Sequence, residues 1–320
     1  MEPAGLSPDP LSAPLAEVLH EARRYAELAK AANTRKAYQA DWRLFTAWCQ
    51  RRQCSALPAG PETVALYLTD HADRLKPATL QRHLATISQA HQLAGYETPT
   101  KSAMVRLVLA GIRREKGVAQ IGKTPLLTAD LQTMLARLPQ TRQGTRDRAL
   151  LLVGFAGAFR RSELVGLDVA DVLFHSEGLV ITLRWSKTDQ EGQGTTVGIP
   201  FGRVAETCPV QAMRAWLDLA GISEGPVFRA INRHDGVQPG RLTDRAVALI
   251  VKRTALMAGL DPAAFAGHSL RAGLATQAAI NGVSDRAIMK QTRHKTRAMV
   301  DRYVRDASVF RDNAGGGVGL

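Results

Sequence analysis

Apolar residues recur every three or four positions through most of the first 117 residues, a spacing that predicts amphipathic helices. The helical segments predicted from this spacing are 15–30, 35–52, 61–75, 77–95 and 102–117. Asn33 and Thr34 are expected to cap the second segment, and Pro61 to open the third. Gly95 is expected to end the fourth. This region therefore predicts a compact helical bundle.

The pattern changes in the second part of the chain, where helical spacing is interrupted by stretches rich in β-branched residues. Residues 173–188 and 195–200 flank a polar, glycine-bearing loop, which predicts a small β-sheet with a hairpin. Helices are predicted at 127–139, 145–159, 208–221, 241–259, 269–283, 284–294 and 296–310. The predicted fold class is mainly α with a small β-sheet (α+β).

Breaks in this pattern predict two domains joined by a linker. Residues 117–124 lack periodicity and predict the linker between a helical domain at 15–116 and a mixed α/β domain at 125–312. Residues 1–14 are rich in proline and alanine and predict a flexible arm, and residues 313–320 predict a disordered tail.

The charge balance favours a polyanionic partner. Lys and Arg number 42 against 29 Asp and Glu, for a formal net charge of +13. Each cation near a phosphate adds a salt-dependent increment of affinity. A solvated basic surface is the alternative interpretation of the charge alone.

The three cysteines indicate a reducing compartment, and the hydropathy pattern predicts neither a signal peptide nor a membrane span. Cys49, Cys54 and Cys208 are scattered, and none stands at zinc-finger spacing from a histidine. Residues 1–14 lack the charged and apolar regions of a signal peptide, and no apolar run approaches the roughly 20 residues of a membrane span. We therefore expect a cytoplasmic, nucleoid-associated protein without a membrane contact.

Two short segments each place two charged or titratable side chains one helical turn apart. Arg160 and Glu163 in RRSEL are three residues apart, as are His268 and Arg271 in GHSLR, so each pair projects from one helix face. Taken singly, the first also fits a surface ion pair and the second a capping histidine beside a surface arginine. A zinc site is disfavoured because no further ligand lies one turn from His268.

In order along the chain, these segments resemble the tyrosine recombinase (phage integrase) family, with the layout of its Cre-like members. The matching motifs are RRSEL, SKT with Lys187 in the predicted hairpin, GHSLR, RH with His294, and Tyr303 nine residues further on. The resemblance covers nearly the whole chain. It implies a helical core-binding domain and a catalytic domain that together form a C-shaped clamp around DNA.

The resemblance also implies how these residues act. Tyr303 is expected to attack the scissile phosphate and form a 3′-phosphotyrosine bond, with His268 as general base. Arg160 and Arg271 are expected to hold the nonbridging oxygens. His294 is expected to hydrogen-bond the phosphate.

Two further roles follow from the same resemblance. Lys187 is expected to protonate the leaving 5′-oxygen. Glu163 is expected to orient either His268 or Arg160. Because the covalent link conserves the bond energy, no ATP, metal or other cofactor is implied.

Two arginines depart from the pattern of the family. Arg161 stands where the family usually has an apolar residue, and Arg293 where it usually has a small one. For Arg293 two alternatives stay open, an added phosphate contact and crowding of His294.

DNA contacts outside the catalytic set are predicted from the resemblance and the charge, with a solvated face as the alternative at each position. A helix face that carries Thr79 and Arg82 would suit a major groove. The predicted contact residues are Arg35, Lys36, Lys76, Thr79, Arg82, Arg241 and Arg245. Trp42 and Trp48 lie on one helix and are expected to pack in a core.

The expected function is site-specific strand exchange on double-stranded DNA, in integration, excision or dimer resolution. A homotetramer on two sites is expected, in which the segment from Val304 to Asn313 docks on a neighbouring protomer; packing on the chain's own surface is the alternative. The rivals are topoisomerase-like relaxation and a DNA-binding protein that does not cut. A pure binder has no need of Tyr303.

Overall fold

The computed structural model describes residues 30–119, 122–184 and 194–307, together with scattered positions between 15 and 25. The chain separates into two compact units, 1–121 and 122–320. Their boundary falls within the interval predicted as a linker. The predicted arm at 1–14 and tail at 313–320 lie outside the described residues, and the domain assignments stay a prediction.

The first unit is built from helices whose apolar faces share one core. These are α1 (Ala32–Arg51), α2 (Pro61–His71), α3 (Pro77–Leu93) and α4 (Ala103–Lys116). Trp48 is 4% exposed and its ring packs edge-on against Tyr67, while Trp42 packs against Phe45. The prediction that both tryptophans pack in a core is confirmed.

One predicted helix start in this unit is wrong. Helix α1 begins at Ala32 with Ala31 as the N-cap residue, and no side chain caps it. Asn33 and Thr34 therefore lie inside the first turn. The predictions for Pro61 and Gly95 are confirmed, since Pro61 opens α2 and Gly95 adopts a positive φ of 78° just after α3.

The second unit surrounds a larger core with helices and a three-stranded sheet. Its helices are α5 (Thr128–Ala136), α6 (Arg142–Ala156), α7 (Arg161–Gly166), α8 (Pro209–Ala220), α9 (Asp244–Met257), α10 (His268–Ile280), α11 (Asp285–Thr292) and α12 (Ala298–Ala307). Strands β1 (Val172–His175), β2 (Gly178–Leu183) and β3 (Thr195–Pro200) pair antiparallel in that order. The predicted fold class is confirmed.

A second sheet was missed by the sequence pattern. Strands β4 (Arg229–Ile231) and β5 (Val237–Arg241) pair antiparallel across a tight turn. Within that turn the Asn232 side chain accepts hydrogen bonds from the backbone N–H groups of His234 and Gly236. Strands this short, one of them carrying Pro239 and Gly240, hold too few positions for an alternating pattern.

Helix α10 is held against the segment that enters the second unit. The N–H of Leu126 donates to Ser269 O at 3.0 Å. A Cβ added at Gly273 would lie 1.9 Å from Leu126 O, so only glycine permits this approach. The first turn of α10, which carries His268 and Arg271, is thereby fixed in the core.

No helix among the described residues has both the length and the apolar composition needed to cross a bilayer.

Candidate functional site

Arg160 lies at the N-cap position of α7 and is held by Glu163 one turn later. The Glu163 carboxylate accepts from the Arg160 backbone N–H at 2.9 Å and from its guanidinium at 2.5 Å. Glu163 is buried, while the Arg160 side chain is 16% exposed. Of the two partners that the sequence left open for Glu163, the structure pairs it with Arg160.

Arg271 is buried beneath the first turn of α10. Its side chain is 1% exposed, and Nη1 donates to Ala158 O at 2.7 Å. Ala158 lies in the turn between α6 and Arg160. Its positive φ of 47° is unusual for a residue with a Cβ. Nη2 of Arg271 is buried and has no hydrogen-bond partner among the described residues, so it is a charged donor that lacks an acceptor.

Tyr303 stands on α12, which packs on the helices of its own chain. Val300 is fully buried in a small cluster with Ala275 of α10 and Ile288 of α11, and Tyr303 packs against this cluster. The packing brings the phenol to the exposed His268 at the start of α10. Tyrosine and histidine thus come together within one chain.

The phenol of Tyr303 lies between two imidazoles. His268 Nε2 is 3.3 Å from Tyr303 Oη, and the His294 and Tyr303 rings stack with centroids 5.8 Å apart. A base at this distance from a hydroxyl can take its proton during nucleophilic attack. The structure thus brings together the tyrosine and the histidine that the sequence predicts as nucleophile and base, and their roles stay predictions.

Positive charges crowd this region and alter its titration. Burial, and then the charges of Arg160 and Arg293, lower the pKa of Arg271 to about 10, so it stays charged at neutral pH. Burial opposes ionisation of Glu163, but Arg293 and the hydrogen bonds from Arg160 outweigh it and hold its pKa below the usual value. The site therefore combines three guanidinium groups with a single carboxylate.

His294 is oriented by the end of α11. Thr292 Oγ1 lies 2.7 Å from Ile288 O and 2.7 Å from His294 Nδ1. Because the carbonyl can only accept, the hydroxyl donates to it, and His294 Nδ1–H donates to the hydroxyl oxygen. In the neutral ring, Nε2 then carries a lone pair. Burial, and then the charge of Arg271, lower the pKa of His294 to about 4, which keeps it neutral at pH 7.

We expect His294 to make the protein less stable as the pH falls from about 6.5 to 4. Its pKa is lower in the folded state than in the unfolded chain, so the unfolded chain binds more protons in this window. The free energy of unfolding should therefore fall with pH, and His294→Gln should lose that part of the slope. Denaturant unfolding of the wild type and of His294→Gln between pH 4 and 8 measures how the free energy of unfolding depends on pH in each protein.

The informative quantity is the difference between the two slopes. Burial also lowers the pKa of His83 in the first unit, so His83 contributes to the slope as well. That contribution is the same in both proteins and cancels. Identical slopes for His294→Gln and the wild type would contradict the assignment to His294.

Both arginines that departed from the family pattern have structural partners. The Arg161 stem packs against Gly267, where an added Cβ would meet Arg161 Cδ at 2.3 Å, and its guanidinium lies 3.7 Å from Asp244. Arg293 contacts Glu163 and backbone carbonyls. Its Nη1 and Nη2 groups donate to acceptors within the second unit.

Lys187 lies outside the described residues, as do positions 308–313 of the predicted docking segment. The described strand β2 ends at Leu183 and β3 begins at Thr195, on either side of the interval that contains Lys187. The assignment of Lys187 as general acid and the docking of Val304–Asn313 both stay predictions.

Arg82 is held by a buried acidic group that the sequence analysis did not single out. Its guanidinium forms two hydrogen bonds with Asp41, at 2.7 and 2.9 Å. His83 Nε2 also contacts Asp41 at 3.0 Å, and His83 Nδ1 contacts Tyr67 Oη at 2.7 Å. This network fixes the direction of Arg82 on α3.

The other residues predicted to contact DNA differ in their exposure and in their hydrogen bonds within the protein. Arg241 donates to Val165 O at 2.7 Å and to Asp168 at 2.6 Å, so its guanidinium is engaged within the second unit. Arg245 is exposed near the start of α9. Lys36 and Lys76 are exposed in the first unit, whereas Arg35 and Thr79 are half-buried. Their contacts with DNA stay predictions.

Among the described residues, no group of three or more histidine, cysteine, aspartate or glutamate side chains is placed to hold a metal ion.

Comparison with known proteins gives a consistent result. Residues 126–308 match the Phage integrase family. The chain is 45% identical over 298 residues to the integrase/recombinase xerD homolog of Selenomonas ruminantium, covering 92% of this chain and 87% of that protein. It is 25% identical over 284 residues to the recombinase cre of Escherichia phage P1, covering 82% and 81%.

A solved structure shows a similar fold at low identity. The Tn1549 transposon integrase in complex with transposon right end DNA aligns with a TM-score of 0.63 at 17% identity, over 90% of this chain and 93% of that one.

Proposed function

The chain belongs to the phage integrase family of tyrosine recombinases, and on that premise we propose that its site cuts DNA through a covalent bond between Tyr303 and a 3′-phosphate. The observation that carries the proposal is the 3.3 Å separation of Tyr303 Oη and His268 Nε2, beside the buried Arg271. A phenol, a base and fixed cations are the groups that phosphoryl transfer to tyrosine requires.

The two arginines would stabilise the charge that develops on the nonbridging phosphate oxygens. Nη2 of Arg271 is buried without a hydrogen-bond partner in the structure, and a phosphate oxygen would supply its acceptor. Arg160 is partly exposed and held in place by Glu163. Guanidinium groups held in advance in this way favour the transition state directly, because they need not reorganise during the reaction.

The proton and electron balance of the cleavage step is complete. Tyr303 Oη bonds to phosphorus as His268 Nε2 takes its proton, and the bond from phosphorus to the 5′-oxygen breaks. The leaving oxygen takes a proton from Lys187, by our assignment. A 5′-hydroxyl from another strand can then attack the phosphotyrosine and restore the DNA backbone.

Binding of the phosphate would also change the protonation of His294. Burial, and then the positive charge of Arg271, lower its pKa to about 4. A bound phosphate offsets such charges, so we expect His294 to take up a proton and donate from Nε2 to the phosphate.

Double-stranded DNA is the proposed partner. The Tn1549 transposon integrase, whose fold is similar, was solved in complex with transposon right end DNA, and the net charge of +13 favours a polyanion. We further propose that each of the two units contacts the duplex. Four protomers would join two sites, with Val304–Asn313 linking neighbours, as in the assembly expected from the sequence. A protein that acts on DNA in this way would work at the nucleoid, in the cytoplasm.

Strand exchange between two sites separates this proposal from its rivals. We expect a supercoiled plasmid that carries two direct copies of a duplex, selected from a randomised pool by binding to this protein, to resolve into two circles. Relaxed plasmid without resolution would indicate a topoisomerase. Binding with neither product would indicate a DNA-binding protein that does not cut. A plasmid with one copy is the matched control.

A further inference from the structure

Arg293 is buried at the centre of the site and uses every Nη hydrogen. Its side chain is 8% exposed. Nη1 donates to Gly157 O at 2.9 Å and to Gln291 O at 2.8 Å. Nη2 donates to Ala158 O at 2.9 Å and to Glu163 at 2.9 Å. The guanidinium also lies 5.2 Å from the centre of the Phe159 ring.

Two of these acceptors are shared with the arginines proposed to bind the phosphate. Ala158 O accepts from Arg271 as well as from Arg293. The Glu163 carboxylate accepts from Arg160 as well as from Arg293. Arg293 is thus the one side chain among the described residues that shares an acceptor with each of the two.

The backbone at this position gives a second reason to look for a function. Arg293 ends α11 in the left-handed conformation, with φ 56° and ψ 40°. Glycine adopts this conformation without strain, whereas a residue with a Cβ does not. The contacts of the Arg293 side chain must therefore stabilise the fold enough to offset the strain of this backbone conformation.

We propose that Arg293 is a positioning residue that fixes Arg160 and Arg271 relative to each other for the scissile phosphate. It orients Glu163 toward Arg160, and it holds the Ala158 carbonyl that anchors Arg271. This inference rests on the proposed function, because the two arginines are taken to bind phosphate.

Arg293 also sets the charge that the site presents. Three guanidinium groups and one carboxylate leave a net charge of +2. Without Arg293, Glu163 would neutralise one of the two remaining arginines and leave +1. Since negative charge increases on the phosphate during transfer, the lost charge affects the transition state more than the bound ground state.

The distinguishing measurement is the rate of covalent attachment, separated from DNA affinity. We use single-turnover reactions on a nicked duplex selected by binding to this protein, and count protein–DNA adducts on a denaturing gel. Arg293→Gly suits the backbone and removes the side chain; Arg293→Lys keeps the charge but offers a single nitrogen. Both variants should form the adduct about 10- to 100-fold more slowly, a loss typical of removing a residue that orients metal ligands. The dissociation constant for the duplex should be unchanged.

A double-mutant cycle with Glu163→Gln tests whether Arg293 acts through the proposed path. Because both residues act on Arg160, the loss in the double variant should be smaller than the product of the two single losses. Losses that multiply would overturn the proposal. So would wild-type rates in Arg293→Gly and Arg293→Lys.

Controls separate this inference from a folding defect and from the proposed function. Arg297→Lys changes an exposed arginine close by on the chain and should leave the rate unchanged. Loss of duplex binding in Arg293→Gly would assign Arg293 a structural role and overturn the proposal. Absence of an adduct with the wild type would instead reject the proposed function, and the inference with it.

Discussion

Tyr303→Phe should eliminate covalent attachment to DNA and leave DNA binding intact. Phenylalanine keeps the ring that stacks on His294 and packs beside Val300, so α12 retains its position. Only the hydroxyl oxygen beside His268 is lost. Removing a nucleophile lowers turnover on the order of 10⁶-fold in a well-studied hydrolase, so the adduct should fall below detection. A nicked duplex and a denaturing gel measure the adduct, and a mobility shift measures binding.

Tyr96→Phe is the matched control for this variant. Tyr96 is exposed in the first unit, and its replacement should leave adduct formation at the wild-type rate. An adduct that persists in Tyr303→Phe would identify another residue as the nucleophile.

Arg271→Gln should give the second largest effect, a loss of about 10²- to 10³-fold in the cleavage rate, which is typical of removing one donor to a developing oxyanion. Glutamine is two bonds shorter than arginine and carries no charge, so both the positive charge and the hydrogen bond from Nη1 to Ala158 O are lost. Because Arg271 is buried, thermal unfolding must be measured alongside the single-turnover rate, so that lost folding is separated from lost catalysis.

Arg271→Lys and Arg214→Gln complete this series. Lysine keeps a positive charge but has one nitrogen, whereas the two Nη groups of arginine can donate to Ala158 O and to a phosphate oxygen at the same time. We therefore expect Arg271→Lys to cleave at a rate between those of the wild type and Arg271→Gln. Arg214 is exposed on α8 with its guanidinium 4.9 Å from the centre of the Phe174 ring, and its loss removes one charge from a residue that makes none of the site contacts described above. Equal losses in Arg271→Gln and Arg214→Gln would mean that Arg271 contributes only to general attraction of DNA.

Much of the fold followed from local patterns in the sequence. Helix α4 and helix α8 were predicted within a residue or two, because amphipathic spacing and helix-end residues agree over their length. Sheet β4–β5 was missed because its strands are too short to show alternation. The start of α1 was misplaced because Asn33 and Thr34 are good capping residues that this helix does not use.

The residues proposed to carry the chemistry could be predicted because a reacting group is tied to a residue type and to an order along the chain. Supporting contacts have no such signature. The Ala158 carbonyl serves Arg271 through the backbone, which any residue type possesses. Three of the four hydrogen bonds of Arg293 reach residues 130 or more positions away in the sequence, and only the folded chain brings them together.

Direct identification of the linkage is the measurement that tests the central claim. The wild-type protein is incubated with the nicked duplex in EDTA, digested with protease and nuclease, and examined by mass spectrometry. We expect a nucleotide joined through its 3′-phosphate to the peptide that contains Tyr303, together with a free 5′-hydroxyl on the released strand. A nucleotide on any other residue, or no adduct from a tightly bound duplex, would contradict the tyrosine mechanism.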